Sequence, residues 1–276
     1  MDIKYFSHNG EVKARKEAAV PLSNIEYQYG FGVYENIRVV NGVPFFLADH
    51  LERLIESARI ISLEHTFTLQ FVEKGITELV QKTGVDTYNL KILLIGAAKP
   101  EDVQLYILAL NPLFPDKKLY REGASFITYE YERAFPHAKT LNMLQSYLAY
   151  RKAKEIDSYD ALLIDNNGCI VEGTRTNFFC LQGKTIFSAP EAKILLGVTR
   201  KAMLKVALNN NFTLEERELS WADIQNCDGA FVTSTSSKII PVRSIDGEEL
   251  RSGSADLLEL MQLFDTFLDT CKGVLA

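Results

Sequence analysis

Apolar residues recur along this chain at two different periods, and the switches between them mark its elements. Leu47, Leu51, Leu54, Ala58 and Ile61 stand three or four residues apart. That spacing lines one face of a helix and predicts an amphipathic helix over 47–61. Leu69, Val72, Ile76, Leu79 and Val80 predict a second helix, stopped by Gly84. Ahead of them Tyr34 to Val40 reads as a strand, Asn41-Gly42 as a hairpin turn, and Val43 to Phe46 as its continuation. Leu90 to Ile95 and Val103 to Leu110 are apolar enough for buried strands.

The pattern breaks over Asn111-Pro112-Leu113-Phe114-Pro115-Asp116-Lys117-Lys118, which marks an interdomain linker. It resumes with a strand over Ser125 to Tyr131 and a helix from Leu141 through Leu144 and Leu148 to Ile156. Asp160 to Ile164, Asn177 to Leu181 and Thr185 to Ser188 follow as strands joined by turns at Asp165-Asn166-Asn167-Gly168 and Gln182-Gly183. Val198 to Leu208 reads as a helix, Ala230 to Thr233 as a strand, and Leu257 to Leu268 as a closing helix. The short turns between strands favour a mixed α/β (α+β) sheet over a doubly wound parallel one. The reading is two α/β domains: a small one over 1–114 and a larger one over 115–276.

Composition narrows the class. The 276 residues, 47% hydrophobic and 24% charged, suit a water-soluble globular protein. No apolar run is long enough to span a bilayer, and Met1 to Gly10 lacks a signal-peptide stretch. Cys169, Cys180, Cys227 and Cys271 lack the close pairing of a zinc site or disulfide framework, so no metal is expected and the cytoplasm is the default compartment. A net charge of −6 argues against nucleic acid, and nothing points to a membrane.

Chemistry concentrates in the second half. Lys139 follows the turn Pro136-His137-Ala138, Glu172-Gly173-Thr174-Arg175-Thr176-Asn177 comes 33 residues later, and Gly197-Val198-Thr199-Arg200 begins 25 residues after Glu172. An amine nucleophile, a carboxylate and an anion site in that order are what pyridoxal phosphate requires. The lysine forms a Schiff base, the carboxylate keeps the ring nitrogen protonated, and a helix N-terminus with a hydroxyl and an arginine takes the phosphate. Each residue also has an ordinary reading. Lys139 reads equally as a surface lysine, Glu172 as a turn carboxylate, and Thr199 as a plain N-cap. Thr233-Ser234-Thr235-Ser236-Ser237 suits either a turn or a phosphate. Arg53, beside the apolar stripe of its helix, suits a boundary salt bridge or a phosphate ligand.

Taken in order, Tyr29-Gly30-Phe31-Gly32-Val33-Tyr34-Glu35, Asp49-His50-Leu51-Glu52-Arg53-Leu54, Lys139-Thr140-Leu141-Asn142, Glu172 to Asn177, Leu195 to Arg200 and Phe231 to Thr235 form a specific series. The series resembles the class IV, D-amino-acid and branched-chain aminotransferase-like family of PLP enzymes over nearly the whole chain. The resemblance implies fold type IV, with PLP in the cleft between a small and a large domain. It implies Lys139 as the Schiff-base lysine and Glu172 as the partner of the ring nitrogen. It also implies Leu195 packed on the ring, and Arg53, Val198, Thr199, Ser234 and Thr235 around the phosphate. It further implies a homodimer in which the Ser23 to Gly32 segment enters the neighbouring active site.

Three reactions compete within that family. Val33-Tyr34-Glu35 and Thr233-Ser234-Thr235 most resemble the D-amino-acid group. Lyases acting on aminodeoxychorismate usually carry a threonine near Glu35, and branched-chain L-amino acid enzymes carry small residues rather than Arg175 after Glu172-Gly173. Bacterial D-amino-acid enzymes of the well-known type bind the substrate carboxylate with an arginine and a histidine where this chain has Gly96 and Ala98. Arg175 is the replacement the sequence offers, with Lys91 as a second and Tyr34 facing the substrate. The expected activity is transamination from a D-amino acid to a 2-oxo acid. The alternatives are a branched-chain aminotransferase, an aminodeoxychorismate lyase, and a PLP-binding protein without catalysis.

Overall fold

The Gly32–Val40 strand is the spine of the first half of the chain. In the computed structural model, which describes residues 3–111, 114–251 and 253–271, it lies between Thr87–Ile95 and Val43–Pro44. Gln104–Leu110, Tyr5–His8 and Glu11–Ala14 extend the sheet beyond Thr87–Ile95, and every pairing is antiparallel. Alternation sorts the strand's side chains by face. Val33, Ile37 and Val39 join Leu90, Ile92, Leu94 and Ile107 under the helices Leu47–Ile60 and Leu69–Thr83. The second helix starts where the Thr68 hydroxyl accepts from the Phe71 amide and ends at Gly84, whose φ of +61° glycine adopts at little cost.

A second unit is built on parallel and antiparallel strands together. Ala124–Glu130 runs parallel to Asp160–Ile164, with the helix Leu144–Glu155 as the crossover. From there Ile170–Gly173, Asn177–Gln182, Gly229–Ser234 and Lys238–Ile245 lead back to Ala124–Glu130, closing a ring of six strands. Phe126, Leu162, Phe178, Val232 and Ile240 fill one side of it. The mixed α+β reading holds. The Tyr5–His8/Glu11–Ala14 hairpin and the strands Thr213–Glu216 and Lys238–Ile245 are additions to it, as is the helix Trp221–Asn226.

The two units comprise residues up to about 111 plus Ala138–Met143, and Phe114–His137 plus Leu144–Thr270. The chain therefore returns to the first unit for six residues. The sequence reading places Lys139 in 115–276 and starts a helix at Leu141. Instead Thr140 bridges Val33, the Leu141 amide donates to the Gly32 carbonyl at 2.8 Å, and the helix begins at Leu144. Gly32 permits this close approach, since a Cβ there would meet the Leu94 carbonyl oxygen at 2.6 Å and Leu141 at 2.7 Å. Of the linker, Pro112 and Leu113 lie outside the described residues, and Lys117 and Lys118 open a short helix to Glu122. Among the described residues no helix is long and apolar enough to cross a membrane.

Candidate functional site

Lys139 is fixed on the first unit by both of its backbone polar groups. Its amide donates to the Ser57 hydroxyl at 3.1 Å, and its carbonyl accepts from the Tyr34 amide at 2.9 Å. Its ammonium lies 4.4 Å from the centroid of the Tyr34 ring, and that of Lys91 lies 5.4 Å from the same ring. Tyr34 and Lys91 share a sheet face because Tyr34 opposes Leu93 and Asn36 opposes Lys91. Two lysines named from sequence, Lys139 and Lys91, thus gather around Tyr34.

Arg53 is held by Glu35, the residue after Tyr34 on the same strand. Its Nε and Nη2 donate to the two oxygens of Glu35 at 2.6 and 2.8 Å, and His50 Nδ1 meets Glu35 Oε2 at 2.8 Å. The salt-bridge reading of Arg53 is therefore realised, on a guanidinium that is largely buried. Burial alone would raise the Glu35 pKa. The charges of Arg53 and His50 outweigh it and lower the value to about 2. Burial lowers the pKa of His50 against the pull of Glu35, and His50 Nε2 is buried without a partner.

Gly96 carries no clamp for a substrate carboxylate, and the structure shows why none fits. A Cβ at Gly96 would stand 2.3 Å from the Phe31 ring, so that ring already occupies the space a longer side chain would need.

On the second unit Glu172 is buried and held at both oxygens. Oε1 accepts from Arg133 Nε at 2.7 Å and Oε2 from the Leu195 amide at 3.1 Å. Arg133 Nη2 also reaches the Thr174 carbonyl at 2.8 Å. Asn177 donates to the Leu195 carbonyl at 2.7 Å, so Leu195 is held through its backbone on both sides. The Val198–Leu208 helix follows, with Val198 and Thr199 buried at its start. Its N-cap is Gly197, which supplies no side-chain acceptor. The first amides of a helix have no partner within it, which leaves them for an anion. Gly197 is required because a Cβ would meet Asn177 Oδ1 at 2.2 Å.

The arginine expected beside these amides is turned away. Arg200 pairs with Glu191 at 2.9 Å and Glu216 at 3.2 Å. Ser234 instead has hydroxyl company. Its Oγ lies 2.5 Å from the Ser237 Oγ and accepts from the Ser237 amide at 3.2 Å. Thr235 is half-buried in the same turn.

Arg175 is exposed, and its guanidinium stacks 4.0 Å from the centroid of Tyr150. Among the described residues no carboxylate stands within ion-pair distance of it. The charge it is coupled to is Asp160, whose Oδ1 accepts from Ala161 N and Thr174 Oγ1. Burial raises the pKa of Asp160 despite Arg175.

Arg133, Asn177, Ser57, Tyr150 and the Glu35–His50 pair have no role that the sequence assigns. Glu35, His50 and Asn177 lie inside the matching stretches, where a buried charge next to Arg53 is the available signal. Arg133, Ser57 and Tyr150 carry no local pattern and become visible only through their partners.

A family model described as amino-transferase class IV matches residues 32–245. The chain is 33% identical to the D-alanine aminotransferase of Bacillus licheniformis, over 89% of this chain and 90% of that one. It is 29% identical to a putative branched-chain-amino-acid aminotransferase of Methanocaldococcus jannaschii, over 88% of each. Among solved structures it resembles a hypothetical aminotransferase from Mycobacterium tuberculosis in its PLP-bound form. The TM-score there is 0.86 at 21% identity, over 95% of this chain and 98% of that one.

Proposed function

The chain belongs to the class IV aminotransferase family, and from that premise we propose that it moves the amino group of a D-amino acid to a 2-oxo acid, with Lys139 as the cofactor-bonding residue. Its cofactor is pyridoxal phosphate, which supplies an electron sink for charge at the substrate α-carbon. The donor set fits that group. Lys139 offers an amine over Tyr34, and Glu172 a buried carboxylate held for a ring nitrogen. Val198 and Thr199 offer uncapped helix amides, Ser234 and Thr235 hydroxyls, and Arg53 a cation for the phosphate. Leu195, whose backbone is held by Glu172 and Asn177, would pack on the ring. Lys139 also moves the proton at the substrate α-carbon.

The observation that carries the substrate assignment is Arg175. Its guanidinium lies over the Tyr150 ring and has no carboxylate partner among the described residues. Gly96 cannot host the alternative clamp because Phe31 fills that space. Arg175 therefore anchors the α-carboxylate, with Lys91 in support. The likeness to the Bacillus licheniformis enzyme supports a D-donor such as D-alanine or D-glutamate. The test assays Arg175→Ala against D-alanine and against a primary amine without a carboxylate. Loss confined to D-alanine supports the role. Equal loss with both donors removes it, and a parent enzyme that reacts only with L-leucine-type donors makes the branched-chain reading correct.

The working form is proposed to be a homodimer. Leu22, Ile25 and Tyr29 are exposed by 85%, 53% and 75% in a segment whose apolar side chains call for a covering surface. A fully active monomer in sedimentation would overturn this. The free cysteines support a reducing compartment, the cytoplasm.

A further inference from the structure

The helix Leu47–Ile60 presents His50, Arg53 and Ser57 at helical spacing toward the Gly32–Val40 strand and the segment that crosses it. His50 and Arg53 close on Glu35. Ser57, wholly buried, spends its hydroxyl on the Lys139 amide. Nothing in the segment's own pairing replaces that contact. The neighbouring bonds are the Lys139 carbonyl to Tyr34 and the Leu141 amide to Gly32, both on the strand side. The Ser57 contact is thus the hydrogen bond that ties the lysine's backbone to the helix carrying Arg53.

We infer that Ser57 is a positioning residue that sets Lys139 relative to Arg53. The inference rests on the roles proposed above, with Arg53 at the cofactor's phosphate and Lys139 bonding its aldehyde carbon. One turn of helix, roughly 6 Å, separates Arg53 from Ser57. Arg53 is locked at one end of that span by two hydrogen bonds to Glu35, and the Lys139 backbone is locked at the other. A phosphate held by the arginine would then fix how far the cofactor's aldehyde can stand from the amine. Removing the Ser57 hydroxyl leaves the arginine where it is and frees the lysine's backbone to shift, so the cost falls on the covalent link and not on phosphate binding.

The two cofactor forms separate those costs, because pyridoxal phosphate bonds to Lys139 and pyridoxamine phosphate cannot. Titration of apo-protein prepared from the full chain measures both affinities. For Ser57→Ala the affinity for pyridoxal phosphate should fall about five- to tenfold, the scale of one hydrogen bond, with that for pyridoxamine phosphate within about twofold of the parent. The pH dependence of the lysine-bound chromophore should move as well. Ser57→Thr, which keeps the hydroxyl, should restore the affinity ratio. Should Ser57→Ala fold poorly, Ser57→Cys keeps the size, has a weaker acceptor, and is read the same way. Equal losses for both forms would make Ser57 a packing residue, and an unchanged ratio would remove the role; either outcome overturns the inference. Lys139→Ala is the separate control. If it keeps the parent's preference between the two forms, then the lysine assignment itself is wrong.

Discussion

Arg133 and Glu172, 39 positions apart in sequence, form one unit at 2.7 Å. The guanidinium holds the carboxylate with Nε and the carbonyls of Gly173 and Thr174 with Nη2. It therefore fixes both the side chain and the turn that carries it. The Leu195 amide occupies the second oxygen at 3.1 Å. A carboxylate held from two sides keeps one orientation, which is what a fixed partner for a ring nitrogen needs.

Replacing Glu172 by Gln keeps the shape and removes the charge. The variant should fold, and its single-turnover reaction with an amino donor should slow by roughly two to four orders of magnitude, at about 1.4 kcal/mol of barrier per factor of ten. Stopped-flow spectroscopy of the cofactor band measures it. A half-reaction at the parental rate would rule out the carboxylate's role.

Removing Arg133 takes the ion-pair partner at 2.7 Å from the buried Glu172 charge. Breaking such a pair costs about 3–5 kcal/mol when both partners are deeply buried, and the partial exposure of Arg133 reduces that to roughly 2. Arg133→Met should lose about that much in urea unfolding, and Arg133→Lys less, because it restores charge without the fork. Equal losses would mean that the fork geometry and not the charge does the holding.

Glu35 gives a prediction in acid. Its folded pKa, about 2, lies below its ordinary 4.5. A depressed carboxylate contributes stability that is fully present above 4.5 and is lost as pH falls through 2. The linked energy is roughly 3 kcal/mol. The Glu35→Gln variant should be less stable at neutral pH and should show a flatter stability profile between pH 4.5 and 2. A variant profile as steep as the parent's would mean that Glu35 is not the titrating group.

The elements legible in sequence are those with long periodic faces. The helices near 47–61, 69–83 and 198–208 and the strands 87–95 and 104–110 all bury one regular set of side chains. Tyr5–His8 and Thr213–Glu216 are not legible, since neither alternates apolar with polar residues: Tyr5 and Phe6 are adjacent, and Leu214 is the one aliphatic residue of its strand. The order of Lys139, Glu172 and Gly197 is legible because each stands beside its own turn. Their supports are not, since Arg133, Ser57 and Tyr150 act through partners 39, 82 and 25 positions away. The start of the helix at Leu144 and not at Leu141 has the same origin. Backbone bonding of Leu141 to Gly32 decides it, and no pattern within 138–143 records that bond.

Tyr150 tests the anchor without touching its charge. Contact of an exposed guanidinium with the half-buried Tyr150 ring contributes about 0.5–1 kcal/mol. Tyr150→Leu should therefore raise the KM for the amino donor by about two- to fivefold with kcat little changed. Steady-state kinetics at saturating 2-oxo acid measures both. A fall in kcat with KM fixed would move the ring's role from holding the arginine to the chemical step.

Asp160 decides whether Arg175 is a free cation or half of an ion pair. Burial raises the Asp160 pKa above its ordinary 3.8, against the opposing pull of Arg175, the Thr174 hydroxyl and the Ala161 amide. A raised carboxyl contributes stability that is fully present below 3.8 and is lost as pH rises through the folded value. At neutral pH the group therefore weakens the fold. Asp160 Oδ2 has no hydrogen-bond partner, and neither has the Thr176 hydroxyl, which abuts the same Gly173. Asparagine at 160 keeps an acceptor for Ala161 and Thr174 and brings an N–H to the unpartnered side, within reach of Thr176 after a small rotation. Asp160→Asn should match the parent near pH 4 and melt at a higher temperature than the parent at pH 8. Thermal melts across that range measure the difference. A variant that instead loses stability at pH 8 would show Asp160 charged and paired with Arg175, and the guanidinium would then not be available to the substrate carboxylate.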